Sequence, residues 1–261
     1  MAVIYSGTFD GLQGHKGMAI QYAIGATIGG AVTFQYPFLD TPAIFTVGDT
    51  DEHVHAASSA VSGFTPTQSS ASSSGSGTTA NWLAIGRGDK NMMRKQFSNL
   101  YGDFDYGTCA IGTGTTFSNG AYSGTPIVIA GATADEGLYI ASDSATGFTP
   151  TAATGAGGSG TGAAYFAFGA GQHHKILRET SVAQAQTAPL WCEIGTYAAL
   201  SAVTFAYPFK ATPSVILRPT SDGQHYAASS ATTGFTPTTI TLAGKSTGAT
   251  GVYFALGPKD I

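Results

Sequence analysis

Charge is scarce in this chain: 11 basic and 15 acidic side chains are spread over 261 residues. With a net charge of −4 and no basic cluster beyond Arg87 to Lys95, nucleic acid is not the expected partner. Long apolar runs are missing too, since no stretch approaches the roughly 18 residues of a membrane span, so no membrane insertion is expected. The segment Met1-Ala2-Val3-Ile4-Tyr5-Ser6-Gly7 has neither a basic head nor a sustained apolar region, which argues against a secretory signal and for synthesis in a cytoplasm. Two cysteines, Cys109 and Cys192, are too few for a disulfide scaffold. Each stands two residues before an Ile-Gly pair, where Tyr22 stands in the first third of the chain. They read either as small buried apolar residues or as a bridge across an interface between repeats. The signatures of catalysis are also lacking. Neither cysteine has a histidine within its own segment, no Gly-x-Ser-x-Gly elbow precedes a helix, and no complete phosphate-binding Gly-x-x-x-x-Gly-Lys-Ser/Thr loop opens one. An enzyme is not expected.

What is present is glycine, at 36 residues, and an apolar fraction of 43% that recurs in alternation and is punctuated by turns. That pattern with few charges reads as an all-β chain of short antiparallel strands. One string organises it. Gly63-Phe64-Thr65-Pro66-Thr67 returns as Gly147-Phe148-Thr149-Pro150-Thr151 and as Gly234-Phe235-Thr236-Pro237-Thr238, so the period is near 85 residues. The chain therefore divides into three tandem small antiparallel β-sandwich domains. Residues 1–19 form an N-terminal arm or attachment segment, 20–88 the first unit, 89–105 a connector, 106–171 the second unit, 172–189 a connector and 190–261 the third.

Within the first unit, Val32, Phe34 and Tyr36 alternate along a strand that Pro37 ends. Thr41 to Val47, His53 to Ala60, Phe64 to Ser69 and Asn81 to Gly86 follow as strands, with an acidic loop from Asp49 to Glu52. The third unit overlays the first closely, through Ser201 to Phe209, Thr212 to Leu217 and Tyr253 to Gly257. The second is shorter and has Asn119-Gly120-Ala121-Tyr122 where the others have Tyr-Pro-Phe. Helix-forming character is confined to the connectors, at Asn91 to Phe97 and Ile176 to Gln186.

In the last strand of each unit Leu83, Phe166 and Phe254 align, as do Ile85, Phe168 and Leu256, and these are expected to face inward. Trp82, Tyr165 and Tyr253 then fall on the opposite face and call for a partner surface. A second aligned set is His55, Tyr139 and Tyr226. Both sets read either as packing between repeats or chains, or as a surface on which a sugar ring stacks. His53 and His55 share one face of a strand and are the candidate ligands for a transition metal, the only cofactor the sequence suggests. His173-His174-Lys175 reads as a solvated connector.

The order Val-x-Phe-x-x-Pro-Phe-x-x-Thr-Pro, an Asp-containing loop, Gly-Phe-Thr and Trp-x-Ala-Ile-Gly, found in Val32 to Phe38, Thr41-Pro42, Asp49, Gly63 to Thr65 and Trp82 to Gly86, resembles the H-type lectin domain. It is similar as well to modules at the ends of bacteriophage tail fibres. The first and third units match over nearly their full length and the second in its later half. The resemblance implies a six-stranded antiparallel sandwich that associates in threes and recognises carbohydrate at the interfaces. It places Asp49, Trp82, Tyr165 and Tyr253 nearest the sugar, with His55, Tyr139 and Tyr226 as further candidates. The expected protein is thus a non-catalytic virion component, a tail-fibre or receptor-binding adhesin for host surface glycans that docks on other virion proteins. The alternative is a structural or decoration protein whose repeats serve assembly alone. The three units either close into a pseudo-trimer within one chain or stack as layers of a homotrimer.

Overall fold

Alternating apolar residues bounded by glycine, proline and serine turns produce strands from one end of the chain to the other, and no helix occurs among the described residues. The computed structural model describes residues 5–9, 18–48, 53–69, 77–87, 96–98, 104–117, 122, 124–133, 137–153, 161–168, 174–179, 190–220, 225–239 and 250–258. The chain opens with β1 (Tyr5–Phe9). The first unit comprises β2 (Met18–Thr27), β3 (Val32–Thr33), β4 (Ala43–Gly48), β5 (Val54–Ala60), β6 (Gly63–Gln68) and β7 (Thr79–Arg87). After β8 (Gln96–Ser98) comes the second, with β9 (Phe104–Ala110), β10 (Thr115–Thr116), β11 (Ile127–Ala132), β12 (Leu138–Asp143), β13 (Gly147–Ala152) and β14 (Gly162–Phe168). Beyond β15 (His174–Glu179) the third has β16 (Leu190–Ala198), β17 (Val203–Thr204), β18 (Ser214–Pro219), β19 (His225–Ala231), β20 (Gly234–Thr239) and β21 (Thr250–Pro258).

Each unit pairs its first, last and third strands into an inner antiparallel sheet, β2-β7-β4 in unit one, and the remaining three into an outer sheet, β3-β6-β5. The two sheets enclose aromatic side chains. Phe34, Phe38, Phe64 and Trp82 fill unit one, Phe117, Phe148 and Tyr165 unit two, and Phe205, Phe209, Phe235 and Tyr253 unit three. The inner sheets are buried on their second face as well. Phe45, Leu83 and Ile85 of unit one, Ile129 and Phe166 of unit two, and Ile216, Phe254 and Leu256 of unit three belong to one continuous cluster. Phe166 and Phe254 meet there edge to face with centroids 5.7 Å apart. Around this cluster the contacts are cyclic, since β5 lies against β11, β12 against β18, and β19 against β4. The three units close a ring.

The repeated string has a physical reason at each residue. A Cβ on Gly63, Gly147 or Gly234 would collide with the carbonyl of Val32, Thr115 or Val203 on the short partner strand, so only glycine lets the two backbones approach. Phe64, Phe148 and Phe235 are each 3% exposed in their unit's core. Pro66, Pro150 and Pro237 stand beyond the end of that short partner strand, where the missing N–H costs no ladder bond. Their carbonyls accept the amide N–H of Gly29, Gly112 and Leu200 at 2.7 Å, anchoring the turn that leaves the first strand. Those three residues have φ of +78°, +76° and +64°, so unit three places a leucine in the left-handed region where its siblings use glycine.

Two expectations change. The connector residues read as helix-forming are extended where described: Gln96 and Phe97 lie in β8, and Ile176 to Glu179 in β15. Backbone pairing offered by neighbouring edges outweighs helix propensities of a few tenths of a kcal/mol per residue (~0.5). The strand read from Val32 to Tyr36 is cut to two residues, because the Gln35 and Tyr36 amides donate to the Gln21 side chain at 2.9 and 3.4 Å instead of to a ladder.

Candidate functional site

The inner sheet has two buried faces, and the face expected to look outward looks into each unit's own core. Trp82, Tyr165 and Tyr253 are 0%, 4% and 5% exposed, packed on Phe64, Phe148 and Phe235 with centroids 5.5, 4.9 and 5.1 Å apart. Leu83, Phe166 and Phe254 point instead to the shared cluster between units. Trp82, Tyr165 and Tyr253 therefore have no ring face to offer a sugar. Strict alternation fixed the two sets and left open which neighbour each set meets.

The set His55, Tyr139 and Tyr226 does occupy equivalent places, opposite Thr67, Thr151 and Thr238. His55 is buried and the two tyrosines are half-buried. Tyr139 and Tyr226 pack around Ala153, and Tyr226 also touches the shared cluster, so these side chains serve the contacts between units. Asp49 lies outside the described residues.

No group of three or more metal-ligating side chains gathers around His53 and His55 or elsewhere among the described residues. His53 lines a cavity of about 40 Å³ at one end of the ring, where Thr46 and His53 of unit one, Gly131 and Leu138 of unit two, and Pro219 and His225 of unit three converge. That volume suits two or three water molecules. The His225 Nδ1 and the Tyr197 hydroxyl are 2.7 Å apart, and burial pushes that hydroxyl's pKa up, opposed by the Arg218 charge. Arg218 is 3% exposed, and burial lowers its guanidinium to about 10 against the opposing pull of Asp143, 3.8 Å away on unit two, and of Tyr197.

The opposite end carries the exposed chemistry. Arg87 and Asp40 of unit one form an ion pair at 2.9 Å with side chains 61% and 59% exposed. Tyr106 of unit two stands within their field: burial raises its hydroxyl pKa, the Arg87 charge opposes that, and Asp40 and Asp105 add to it. The charges of the pair thus reach a tyrosine of unit two across the first seam. No family model, curated protein or solved structure matches the chain. The chemistry of the site rests on its own residues.

The Tyr-Pro-Phe turns present Tyr36, half-buried, and in unit three Tyr207, 54% exposed. Both turns are held from below by a buried polar residue of the first strand. The Gln21 amide donates to the Tyr36 carbonyl at 2.6 Å, and Glu193 accepts the Ala206 N–H at 3.0 Å and the Tyr253 hydroxyl at 2.8 Å. Asp105 has the matching place in unit two, opposite Ala167 as Gln21 is opposite Ala84 and Glu193 opposite Ala255. Sequence reading missed these three. A polar residue two places before an apolar one on a strand otherwise buried on both faces was the available signal.

Neither cysteine is in a disulfide, and the two are not equivalent. Cys192 is buried in the shared cluster, whereas Cys109 is half-buried in unit two. Burial pushes the Cys109 thiol up to about 11, with a Thr115 hydrogen bond opposing it.

Proposed function

We propose that the chain is a non-catalytic attachment protein of a virion, a tail-fibre or receptor-binding adhesin that contacts host surface glycans at the seam between units one and two. The observation that carries the glycan reading is the exposed Arg87–Asp40 pair, whose charges reach Tyr106 of unit two. Vicinal hydroxyls need a paired donor and acceptor at fixed spacing, which a guanidinium and a carboxylate supply. The resemblance to H-type lectin sandwiches and tail-fibre modules supports the virion setting, and the cyclic contacts support a pseudo-trimer made by one chain. Glycan-array and whole-cell binding by Arg87→Ala and Asp40→Asn test the reading. Both side chains are exposed, so folding is expected to survive while binding falls by about tenfold or more. Unchanged binding by both variants removes the site.

A structural virion protein is the second reading. It is favoured by one observation: all of Trp82, Tyr165, Tyr253, Tyr139 and Tyr226 are engaged in packing within or between units. Failure of the unaltered protein to bind any glycan or cell, together with its presence in purified particles, selects that reading.

A further inference from the structure

We propose that β1, β8 and β15 form a clasp that closes the ring at the seam between units three and one. The chain passes from unit one to unit two and from unit two to unit three, so units three and one are the pair it does not join in succession. Their direct contacts are β19 against β4 and β18 against β2, β4 and β7. The sheet order supplies what chain connectivity does not. It runs β16-β15-β8-β1-β2 without a break from the inner sheet of unit three to that of unit one, while the inner sheet of unit two, β11-β14-β9, stays separate.

The clasp is strong at its ends and thin in the middle. Five residue pairs join β1 to β2, from Tyr5↔Tyr22 to Phe9↔Met18, and four join β15 to β16, from His174↔Glu193 to Leu177↔Leu190. The three-residue β8 holds the halves together through two pairs on each side, Thr8↔Gln96 and Phe9↔Phe97 toward β1, Arg178↔Ser98 and Glu179↔Phe97 toward β15. β8 belongs to the stretch that links units one and two, and β15 to the stretch that links units two and three. Both covalent links are therefore tied into the seam that lacks one. β1 is thereby held in the sheet that spans this seam.

Hydrogen exchange on the full chain, followed by mass spectrometry, tests the clasp. Thr8→Pro removes a backbone donor and fixes φ where β1 meets both neighbours; Thr8→Val keeps both. The proline variant is expected to raise exchange about tenfold or more in β8 and β15, in the facing residues 18–22 and 190–193, and in β4, β18 and β19. The amides of β5, β11 and β12 keep their rates, as does the whole valine variant. Phe97→Pro, placed in β8 outside all three units, is expected to reproduce the same pattern. A rise confined to the substituted strand, or one of equal size at all three seams, overturns the proposal.

Discussion

Replacing the motif glycine of unit one by alanine puts the close approach of β3 and β6 to a direct test. The added Cβ of Gly63→Ala meets the Val32 carbonyl oxygen and, at 3.2 and 3.3 Å, the Val32 carbonyl carbon and the Thr33 Cα. All three atoms are backbone, so no rotamer change relieves them and β3 must move away. Overpacking of this kind costs about 1–3 kcal/mol. The movement also weakens the Val32↔Phe64 and Thr33↔Gly63 pairs and the 2.9 Å bond from the Phe34 amide to the Ser62 carbonyl, each hydrogen bond contributing about 1 kcal/mol. The expected loss is about 2–4 kcal/mol, which for a chain of this size lowers the melting temperature by roughly 5–12 °C. Gly29→Ala is the control. Nothing lies within 4 Å of a Cβ there, and the cost is the left-handed φ of +78° alone, about 1 kcal/mol. Calorimetry on both variants decides it. If Gly63→Ala melts within a degree of the parent, or no lower than Gly29→Ala, the close-approach account of the motif is wrong.

Other substitutions probe the seams and the buried polar groups. Gly131→Val, which copies Val47, brings a side chain against the Ile44 carbonyl and the Phe45 ring across the first seam, where even a Cβ sits at 3.3–3.4 Å. It is expected to cost about 1–3 kcal/mol and to raise exchange at β4 and β11 before other strands. Arg218→Met is expected to be neutral or stabilising, because the desolvation of a guanidinium whose closest carboxylate is 3.8 Å away disappears with it. Asp143→Asn lowers the melting temperature by leaving that guanidinium without its counter-charge. Tyr253→Phe deletes the donor to Glu193 Oε1 and is expected to cost about 1–3 kcal/mol in urea unfolding. With its folded-state pKa raised to about 11, the Cys109 thiol is protonated below that pH and becomes a nucleophile only as pH climbs toward it. Alkylation of the native protein at Cys109 should therefore be far slower at pH 8 than that of a free thiol, and should accelerate as pH rises to 10.

The all-β class was legible because alternation and turn residues are local signals. The middle and last strands of the units, such as β4, β6 and β7, were readable to within two residues. What escaped depends on partners distant in sequence. Periodicity separated Trp82 from Leu83, but both faces of β7 are buried, one against the outer sheet and one against the other units, and no local pattern tells one apolar neighbour from another. The first strands were misaligned by their Ile-Gly pairs. Pairing sets Tyr22 opposite Leu83 and Ile194 opposite Phe254, so Tyr22 matches Ile194 and Ile20 matches Cys192, two residues from the apparent alignment. An irregularity between Ala23 and Ala26 of β2 absorbs part of the offset. The neighbourhood of Tyr106 to the Arg87–Asp40 pair escaped for a related reason, since the tyrosine belongs to a different unit and comes within reach of those charges only once the ring is closed.

A ring of three separate copies forces every position near its axis to tolerate two images of itself. Here the equivalent positions opposite Asn81, Ala164 and Val252 hold Val47, Gly131 and Arg218, an apolar branch, a gap and a cation. Three arginines brought together there would repel, and three glycines would leave a hole. Carrying all three units on one chain removes the self-compatibility requirement, so each seam is able to acquire its own chemistry while the common core is kept. The Arg87, Asp40 and Tyr106 grouping at one seam and the Asp143–Arg218 pair at another are products of that freedom.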